Sequence, residues 1–257
     1  MTEPARLVAF LGAVHGFGAR VLREDFSGSG ALARAWAASS PTRRSIAVDM
    51  DPAPLARAVA GRRVQGLVCE AGRCREKADI IAATNFPIGY QHTRESLLRY
   101  LRAARASLAA RGVFVCDLYG GRDAFMPGKI VQFVRAPGSK RRPAGVWRGE
   151  LVEYTFEQRE ADAVRGRVLD ALHFRAWRSG KRGRTPDVVL TDAFVYDWRL
   201  WSLSELREAM IEAGFRTVEV HDRVGDAIDN EGNLLVRAIE NGRELDANWV
   251  VYVVGRR

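Results

Sequence analysis

A glycine-rich turn between two apolar segments is the clearest candidate for chemistry in this sequence of 257 residues. The turn reads Glu-Asp-Phe-Ser-Gly-Ser-Gly over residues 24–30, and the segment after it is apolar with helical spacing. Glycine lets a backbone adopt positive φ and approach a ligand closely, and the first turn of a helix presents backbone N–H groups without partners inside the helix. The turn therefore predicts a ligand-binding loop with Gly28 and Gly30 at its closest approach.

A carboxylate stands 19 residues beyond the turn, at Asp49, directly after a short apolar segment. An acidic side chain at the end of the second strand of an α/β unit can hold both hydroxyl groups of a ribose. Asp49-Met50-Asp51 also fits an Asp-x-Asp metal-nucleotide motif, but its position at a strand end favours ribose binding. We therefore expect a nucleoside at this position and no metal.

The residues alone leave an NAD(P)-dependent oxidoreductase open, because residues 28–33 also fit the form Gly-x-Gly-x-x-Ala. Two features argue against it. Glu24 and Asp25 directly precede the turn, where carboxylates would repel a pyrophosphate but attract a ligand that carries an ammonium and a sulfonium. In addition, Asp49 stands where a basic residue would favour a 2′-phosphate.

Strand and helix patterns alternate along most of the chain, which predicts a parallel sheet with helices on both faces. Apolar strands are predicted at residues 19–26, 45–49, 64–69, 78–84, 113–118, 215–221 and 249–254. Helices are predicted at residues 5–19, 31–39, 52–61, 93–110 and 202–213. The helix at 202–213 opens with a Ser202 and Glu205 capping box. The final strand, residues 249–254, is expected at a protected edge of the sheet.

The alternation breaks from about residue 120 to residue 198, where the pattern becomes extended and β-branched. The segments at 151–159, 164–177 and 187–198 predict an antiparallel β insertion. An insertion after the fifth strand emerges at the carboxyl edge of the sheet, where α/β proteins bind ligands. We therefore expect residues 1–257 to form a single domain in which residues 120–198 serve as a lid or acceptor region.

Over residues 20–119 and 198–257 the chain resembles the class I S-adenosylmethionine (SAM)-dependent methyltransferases. Residues 24–30 match the family's first motif, Asp/Glu-x-Gly-x-Gly-x-Gly, with Phe26 in place of the first glycine. Residues 203–220 look like the family's late helix and strand. The resemblance implies SAM as cofactor and a Rossmann-like α/β fold, a seven-stranded, mostly parallel sheet with an antiparallel last strand and a β-rich insertion.

The resemblance also implies roles for individual residues. Asp49 would hold the ribose and Met50 would pack on the adenine, with Glu70 and Ala71 near the adenine amine. The segment at residues 78–86 would lie beside the methyl group. The predicted cofactor contacts are Glu24, Phe26, Gly28, Gly30, Asp49, Met50, Glu70, Ala71, Asn85 and Phe86.

Three side chains near the predicted methyl site are candidates for catalysis: His92 as a general base, Tyr90 beside it, and Tyr119 at the end of the fifth strand. The alternative for His92 is a surface position at the start of a helix. Tyr196, Trp198 and Trp201 lead back from the insertion into the core and are predicted to border the acceptor. Their alternative role is a hydrophobic seam between insertion and sheet.

The composition does not identify the molecule that accepts the methyl group. A small molecule methylated on nitrogen or oxygen is favoured because the insertion forms a lid. The net charge of +9 and the basic clusters Lys140–Arg142 and Arg175–Arg184 support a second hypothesis, an RNA- or protein-modifying methyltransferase. A catalytically silent SAM-binding protein is a further alternative. The three cysteines form no even framework or zinc site, no apolar run is long enough to span a membrane, and no secretory signal is evident, so we expect a cytoplasmic protein.

Overall fold

The computed structural model describes residues 3–16, 18–59, 63–135, 151–177, 185–222, 224–225, 227–229 and 234–257. The chain divides into two compact units, Met1–Ala124 with Trp201–Arg257, and Phe125–Leu200. Gly61, the Lys140–Arg142 cluster and residues 178–184 of the second basic cluster lie outside the described residues.

Five α-helices are described: α1 Pro4–His15, α2 Ala31–Ala38, α3 Pro52–Ala58, α4 Arg94–Ser107 and α5 Leu203–Glu212. The first five strands are β1 Val21–Asp25, β2 Arg44–Asp49, β3 Val64–Val68, β4 Ala78–Ala83 and β5 Leu108–Gly121. The next four are β6 Gly128–Arg135, β7 Leu151–Asp162, β8 Arg167–Trp177 and β9 Val188–Arg199. The last four are β10 Thr217–His221, β11 Ala227–Ile228, β12 Leu234–Leu235 and β13 Asn248–Arg256.

The first unit contains a seven-stranded sheet in the order β10-β13-β5-β4-β1-β2-β3. Strands β1 to β5 pair in parallel, and β13 pairs antiparallel with both β5 and β10. One apolar cluster joins this sheet to α1 and α2, and another joins it to α4 and α5. The predicted Rossmann-like, mostly parallel sheet with an antiparallel last strand is confirmed.

The expected edge position of the last strand is wrong, because β13 lies between β10 and β5. Its side chains explain the position. Val251 and Val253 belong to the apolar cluster of α4 and α5, whereas Tyr252 and Val254 belong to that of α1 and α2. A strand that is apolar on both faces is buried most completely in the interior of a sheet.

The predicted boundary between the fourth helix and the fifth strand is also wrong. Helix α4 ends at Ser107 and β5 begins directly at Leu108, so the Arg111-Gly112 pair lies within the strand. A Cβ on Gly112 would come within 3.0 Å of the carbonyl oxygens of Ala109 and Asp79. Gly112 therefore permits close packing of β5 against β4, which the sequence pattern does not distinguish from a helix end.

The predicted capping box at the start of α5 is confirmed. The side chain of Ser202 accepts from the backbone N–H of Glu205 at 3.2 Å, and the Glu205 carboxylate accepts from the backbone N–H of Ser202 at 2.8 Å. Thr93 and Ser96 form the corresponding pair at the start of α4. Both helices therefore begin at residues that satisfy their first free N–H groups.

The second unit is a four-stranded antiparallel sheet in the order β6-β7-β8-β9. The predicted β-rich insertion is confirmed, and it includes β6, a strand that the sequence analysis did not single out. A row of aromatic rings crosses the sheet. Its neighbouring pairs are Tyr154–Phe174 at 5.6 Å, Phe174–Phe194 at 6.4 Å, Phe194–Tyr196 at 6.2 Å and Tyr196–Trp198 at 4.4 Å between ring centroids.

Candidate functional site

The turn after β1 has three residues in the left-handed region: Phe26 (φ 57°), Gly28 (φ 50°) and Gly30 (φ 64°). Phe26 thus keeps a backbone conformation that suits the glycine it replaces in the motif. A side chain in this region costs about 1–2 kcal/mol, and such strain persists where the surroundings fix the conformation. The Phe26 ring is held between Tyr90 and Tyr100, at 6.3 and 5.5 Å between centroids.

The two predicted glycines of the turn have different structural roles. A Cβ on Gly28 would meet no atom within 4 Å, so the space beside it is open. A Cβ on Gly30 would lie 2.4 Å from the Cβ of Ala58. Gly28 therefore leaves room for a ligand, whereas Gly30 allows α3 to pack closely against the start of α2.

Asp49 ties the glycine turn to the end of β2. Its carboxylate accepts from the backbone N–H groups of Gly28, at 2.7 Å, and of Asp51, at 3.0 Å. The backbone carbonyl of Asp49 also accepts from the N–H of Cys69 at 3.0 Å, which holds the end of β3 alongside. The carboxyl ends of β1, β2 and β3 are thereby joined around one half-buried carboxylate.

The other predicted nucleoside contacts lie at the same sheet edge. Met50 is exposed directly after β2. Glu70 forms an ion pair with Arg73 at 3.0 Å, and Ala71 is buried at the start of a short 3-10 helix. The structure therefore brings Asp49, Met50, Glu70 and Ala71 together at the carboxyl ends of β2 and β3.

Glu24 is a buried carboxylate at the end of β1, and it accepts from the backbone N–H of Ala33 at 2.7 Å. Burial raises the pKa of Glu24 to about 7, against the opposing effect of hydrogen bonds from the N–H groups of Ala33 and Leu32. Glu24 thus accepts from amide groups in the first turn of α2, and the pKa of its carboxyl group lies near neutral pH.

Asp25, the other acidic residue before the turn, has different surroundings. Its carboxylate pairs with the guanidinium of Arg23 at 2.9 Å and accepts from the hydroxyl of Tyr100 at 3.0 Å. Both members of the ion pair are fully buried. Because successive strand side chains point to opposite faces, only Glu24 faces the side of the sheet that carries α1 and α2.

Asp117 is a second buried carboxylate, near the end of β5, and the sequence analysis missed it. It accepts from the backbone N–H groups of Asn85 and Phe86, each at 2.7 Å. Burial raises the pKa of Asp117 to about 6, against those two hydrogen bonds. The available signal was an aspartate directly after the apolar run Val-Phe-Val-Cys at residues 113–116.

A cavity of about 300 Å³ lies at the carboxyl edge of the sheet, on the side of α1 and α2. Both buried carboxylates line it. The remaining lining residues are Pro4, Leu7, Ala31, Leu32, Thr84, Asn85, Phe86, Val250 and Tyr252. A cavity with apolar walls and two carboxylates favours a ligand with positive charge, because none of the described residues that line it is basic.

The predicted catalytic residues are not among the lining residues of this cavity. Tyr90 ends the 3-10 helix Pro87–Tyr90 after β4 and is 44% exposed. His92 follows it, just before the Thr93 cap of α4. Tyr119 lies near the end of β5, with its ring edge-on to Phe86 at 5.0 Å.

The predicted acceptor residues are divided between the two units. Trp201 is buried in the apolar cluster of α4 and α5, and its indole N–H donates to the carbonyl of Gln91 at 3.0 Å. This burial gives Trp201 a packing role in the first unit. Tyr196 and Trp198 are stacked at the end of the aromatic row in the second unit, where Asp170 lies opposite Tyr196 in the register.

Among the described residues, no group of three or more histidine, cysteine, aspartate or glutamate side chains is placed to hold a metal ion. The described helices likewise include none with the length and hydropathy needed to cross a membrane.

Comparison with known proteins identifies the fold but no sequence relative. No family model matches the chain, and no curated protein matches it significantly. A SAM-dependent methyltransferase from Clostridium acetobutylicum ATCC 824 matches the structure with a TM-score of 0.69 and 12% identity, covering 99% of this chain and 92% of the other.

Two further solved structures are similar. One is the SAM-bound amino pentose methyltransferase from Micromonospora echinaspora involved in calicheamicin biosynthesis, with a TM-score of 0.65, 16% identity, and coverage of 99% of this chain and 90% of that one. The other is a sugar N-methyltransferase from Streptoalloteichus sp ATCC 53650, with a TM-score of 0.65, 17% identity, and coverage of 100% and 87%. The chain therefore has the fold of the SAM-dependent methyltransferases, with the second antiparallel sheet included in the match.

Proposed function

We propose that this protein is a SAM-dependent methyltransferase that acts on a nitrogen of a small molecule. The observation that carries the proposal is the cavity beside the glycine turn, with Glu24 and Asp117 buried in its wall. SAM carries an ammonium and a sulfonium, and these are the charges that two carboxylates would stabilise in a site shielded from water.

The residues around the cavity fit the parts of this cofactor. Asp49, at the ends of β2 and β3, would accept hydrogen bonds from the ribose hydroxyls, and Met50 would pack on the adenine. Open space beside Gly28 would admit the cofactor next to the turn. Bound SAM supplies an electrophilic methyl group, so the protein needs chiefly to orient the acceptor and exclude water.

Two considerations favour an amine of a small molecule as the acceptor. The similar structures include a sugar N-methyltransferase and an amino pentose methyltransferase. In the second unit, the ring of Tyr196 is only half-buried, and an aromatic face attracts ammonium groups. We propose residues 120–198 as the acceptor region, with the half-buried ring of Tyr196 as the acceptor contact and the buried ring of Trp198 packed against it.

His92, Tyr90 and Tyr119 are proposed to lie nearest the transferred methyl group. An amine that binds as an ammonium must lose a proton before its nitrogen lone pair can attack the methyl group. His92 is the proposed recipient of that proton, since imidazole side chains commonly act as general bases. Replacing it with glutamine should reduce turnover without affecting cofactor affinity.

The site disfavours the oxidoreductase alternative. In nicotinamide-binding proteins the pyrophosphate occupies the N-terminal amides of the helix after the glycine turn. Here the Glu24 carboxylate already accepts from Ala33 in that first turn. A pyrophosphate would have to displace this carboxylate or lie against it.

Calorimetric titration with SAM, S-adenosylhomocysteine and NADPH tests the proposed cofactor. We expect the two adenosyl compounds to bind and NADPH not to bind. Binding of NADPH alone would reject the proposal in favour of the oxidoreductase. Incubation with labelled SAM and amino sugars, alcohols or RNA then tests the acceptor. Methylated RNA without any methylated small amine would overturn the acceptor class.

A further inference from the structure

Asp117 holds the backbone immediately after β4 in a conformation that this sequence does not otherwise favour. Asn85 and Phe86 are consecutive and both left-handed, with φ of 71° and 65°. Their N–H groups donate to the two carboxylate oxygens of Asp117, each at 2.7 Å. Asn tolerates this region, but a bulky side chain there is strained, so at Phe86 the bidentate contact offsets a local cost.

The contact depends on the charge of the Asp117 carboxyl group. An ionised carboxylate accepts with both oxygens, whereas a protonated one must use one oxygen as a hydroxyl donor. Two N–H groups converging on one carboxyl therefore favour the ionised form. Protonation of Asp117 would weaken one of the two bonds, because a hydroxyl oxygen is a poorer acceptor than a carboxylate oxygen, and would loosen the turn.

Among the described residues that line the cavity, none places a basic side chain beside Asp117. On β1 the facing titratable group is Glu24, and on β13 it is the phenol of Tyr252, directly opposite Asp117 in the register. The lining residues from α1 and α2 are Pro4, Leu7, Ala31 and Leu32, all uncharged. The neighbouring thiol of Cys116 belongs to the opposite face of β5.

We propose that Asp117 is a positioning residue that couples the charge of the bound cofactor to the shape of the Asn85–Phe86 turn. The inference rests on the proposed function, since it takes SAM as the ligand of this cavity. A cationic ligand fixes Asp117 in its ionised form, and ionised Asp117 holds the turn closed beside the ligand.

The proposal predicts that protons are released when SAM binds. At pH 6 a carboxyl group with a pKa of about 6 is half protonated, so a cation that ionises it releases about half a proton. Glu24, with a pKa of about 7, adds a separate share. S-adenosylhomocysteine lacks the sulfonium charge and releases fewer protons than SAM. Loss of that charge after methyl transfer therefore favours reprotonation and a looser turn around the product.

The test is calorimetric titration of the wild-type protein with SAM and with S-adenosylhomocysteine, in buffers of different ionisation enthalpy from pH 5.5 to pH 8.5. We expect more protons to be released by SAM than by S-adenosylhomocysteine near pH 6, with the difference vanishing above pH 8. Equal release by both ligands at every pH would overturn the inference. Failure of both ligands to bind would instead reject the proposed function.

Two substitutions distinguish the effect of the Asp117 charge from the effect of the conformation of the Asn85–Phe86 turn. Asp117→Asn should lower the proton release with SAM at pH 6 by about half a proton, and weaken SAM binding about tenfold. Phe86→Gly removes the strain at the bulky turn residue, since glycine tolerates positive φ. The Asp117→Asn change should therefore weaken S-adenosylhomocysteine binding less in a Phe86→Gly background than in the wild-type background. Equal losses in both backgrounds would contradict the positioning role, and thermal melting of each variant checks the fold.

Discussion

The backbone N–H of Gly28 donates to Oδ2 of Asp49 at 2.7 Å, which fixes the turn after β1 to the end of β2. The same carboxylate accepts from Asp51 at 3.0 Å. Asp49 therefore has two roles in the proposed site. It shapes the glycine turn in the free protein, and its remaining lone pairs are available for ribose hydroxyls.

We expect Asp49→Ala to weaken SAM binding by about 1.5–3 kcal/mol, as for loss of hydrogen bonds to a charged group. Asp51→Ala is the matched control. Asp51 caps α3 by accepting from Ala53 at 2.9 Å, so its loss should lower stability by about 1 kcal/mol and leave SAM affinity unchanged. Calorimetry and thermal melting measure the two effects, and unchanged SAM affinity in folded Asp49→Ala would remove Asp49 from the site.

Gly28→Ala should abolish SAM binding while the protein still folds, because the added Cβ enters open space beside the turn. Gly16→Ala is the matched control, because Gly16 also has positive φ (94°) and open space around a Cβ. Both variants carry backbone strain of about 1–2 kcal/mol. If both bind SAM normally, the space beside Gly28 does not hold the cofactor.

Gly30→Ala should act differently from Gly28→Ala. Its Cβ would lie 2.4 Å from the Cβ of Ala58 and 3.3 Å from the Cα. Relief requires α3 to move away from α2, and overpacking of this kind costs about 1–3 kcal/mol. We expect a lower melting temperature in the absence of any ligand. A Gly30→Ala protein with wild-type melting would show that α3 adjusts without cost.

The sheet could be predicted from the sequence because each of its strands leaves an apolar pattern of its own. The glycine turn, Asp49 and the capping box at Ser202 were equally visible, since each depends on neighbours close in the chain. Asp117 was not, because its partners Asn85 and Phe86 are 32 and 31 residues away. The edge position expected for the last strand failed for a similar reason, since strand order is set by contacts between distant segments.

Glu24 should make stability fall as pH rises towards neutrality. Its pKa rises from 4.5 in the unfolded chain to about 7 in the folded protein. Between those values the folded state retains a proton that the unfolded state has lost. The unfolding free energy therefore falls through this window, by roughly 3 kcal/mol in all.

Asp117 also makes the unfolding free energy fall as pH rises, but mainly between its usual pKa of 3.8 and its raised pKa of about 6. From pH 6 to pH 7 the decline is attributed to Glu24, and it is opposed by His15 and His221, whose pKa values burial lowers. Glu24→Gln keeps an acceptor for the Ala33 amide and should flatten that part of the profile, as measured by urea unfolding in the absence of ligand. An unchanged decline in the variant would mean that another group titrates there.

The stacked pair Tyr196 and Trp198 offers a test of the acceptor region within one sheet. The rings lie 4.4 Å apart with 16° between their planes, but Trp198 is 5% exposed and Tyr196 is half-buried. Trp198→Ala removes a buried ring and should lower the unfolding free energy by about 3–5 kcal/mol. Tyr196→Ala should cost much less. Because the partly exposed ring of Tyr196 is proposed to contact the acceptor, the Tyr196→Ala change should raise the KM for the acceptor and leave SAM affinity within about threefold, or roughly 0.65 kcal/mol.

Val164→Ala is the control, because Val164 is 98% exposed at the turn between β7 and β8. This change should alter neither the KM for the acceptor nor the SAM affinity. Thermal melting, SAM titration and steady-state kinetics on all three variants distinguish the outcomes. A Tyr196→Ala protein with normal acceptor kinetics and normal stability would exclude this ring from the acceptor site. Loss of SAM affinity in the same variant would instead place the second sheet against the cofactor.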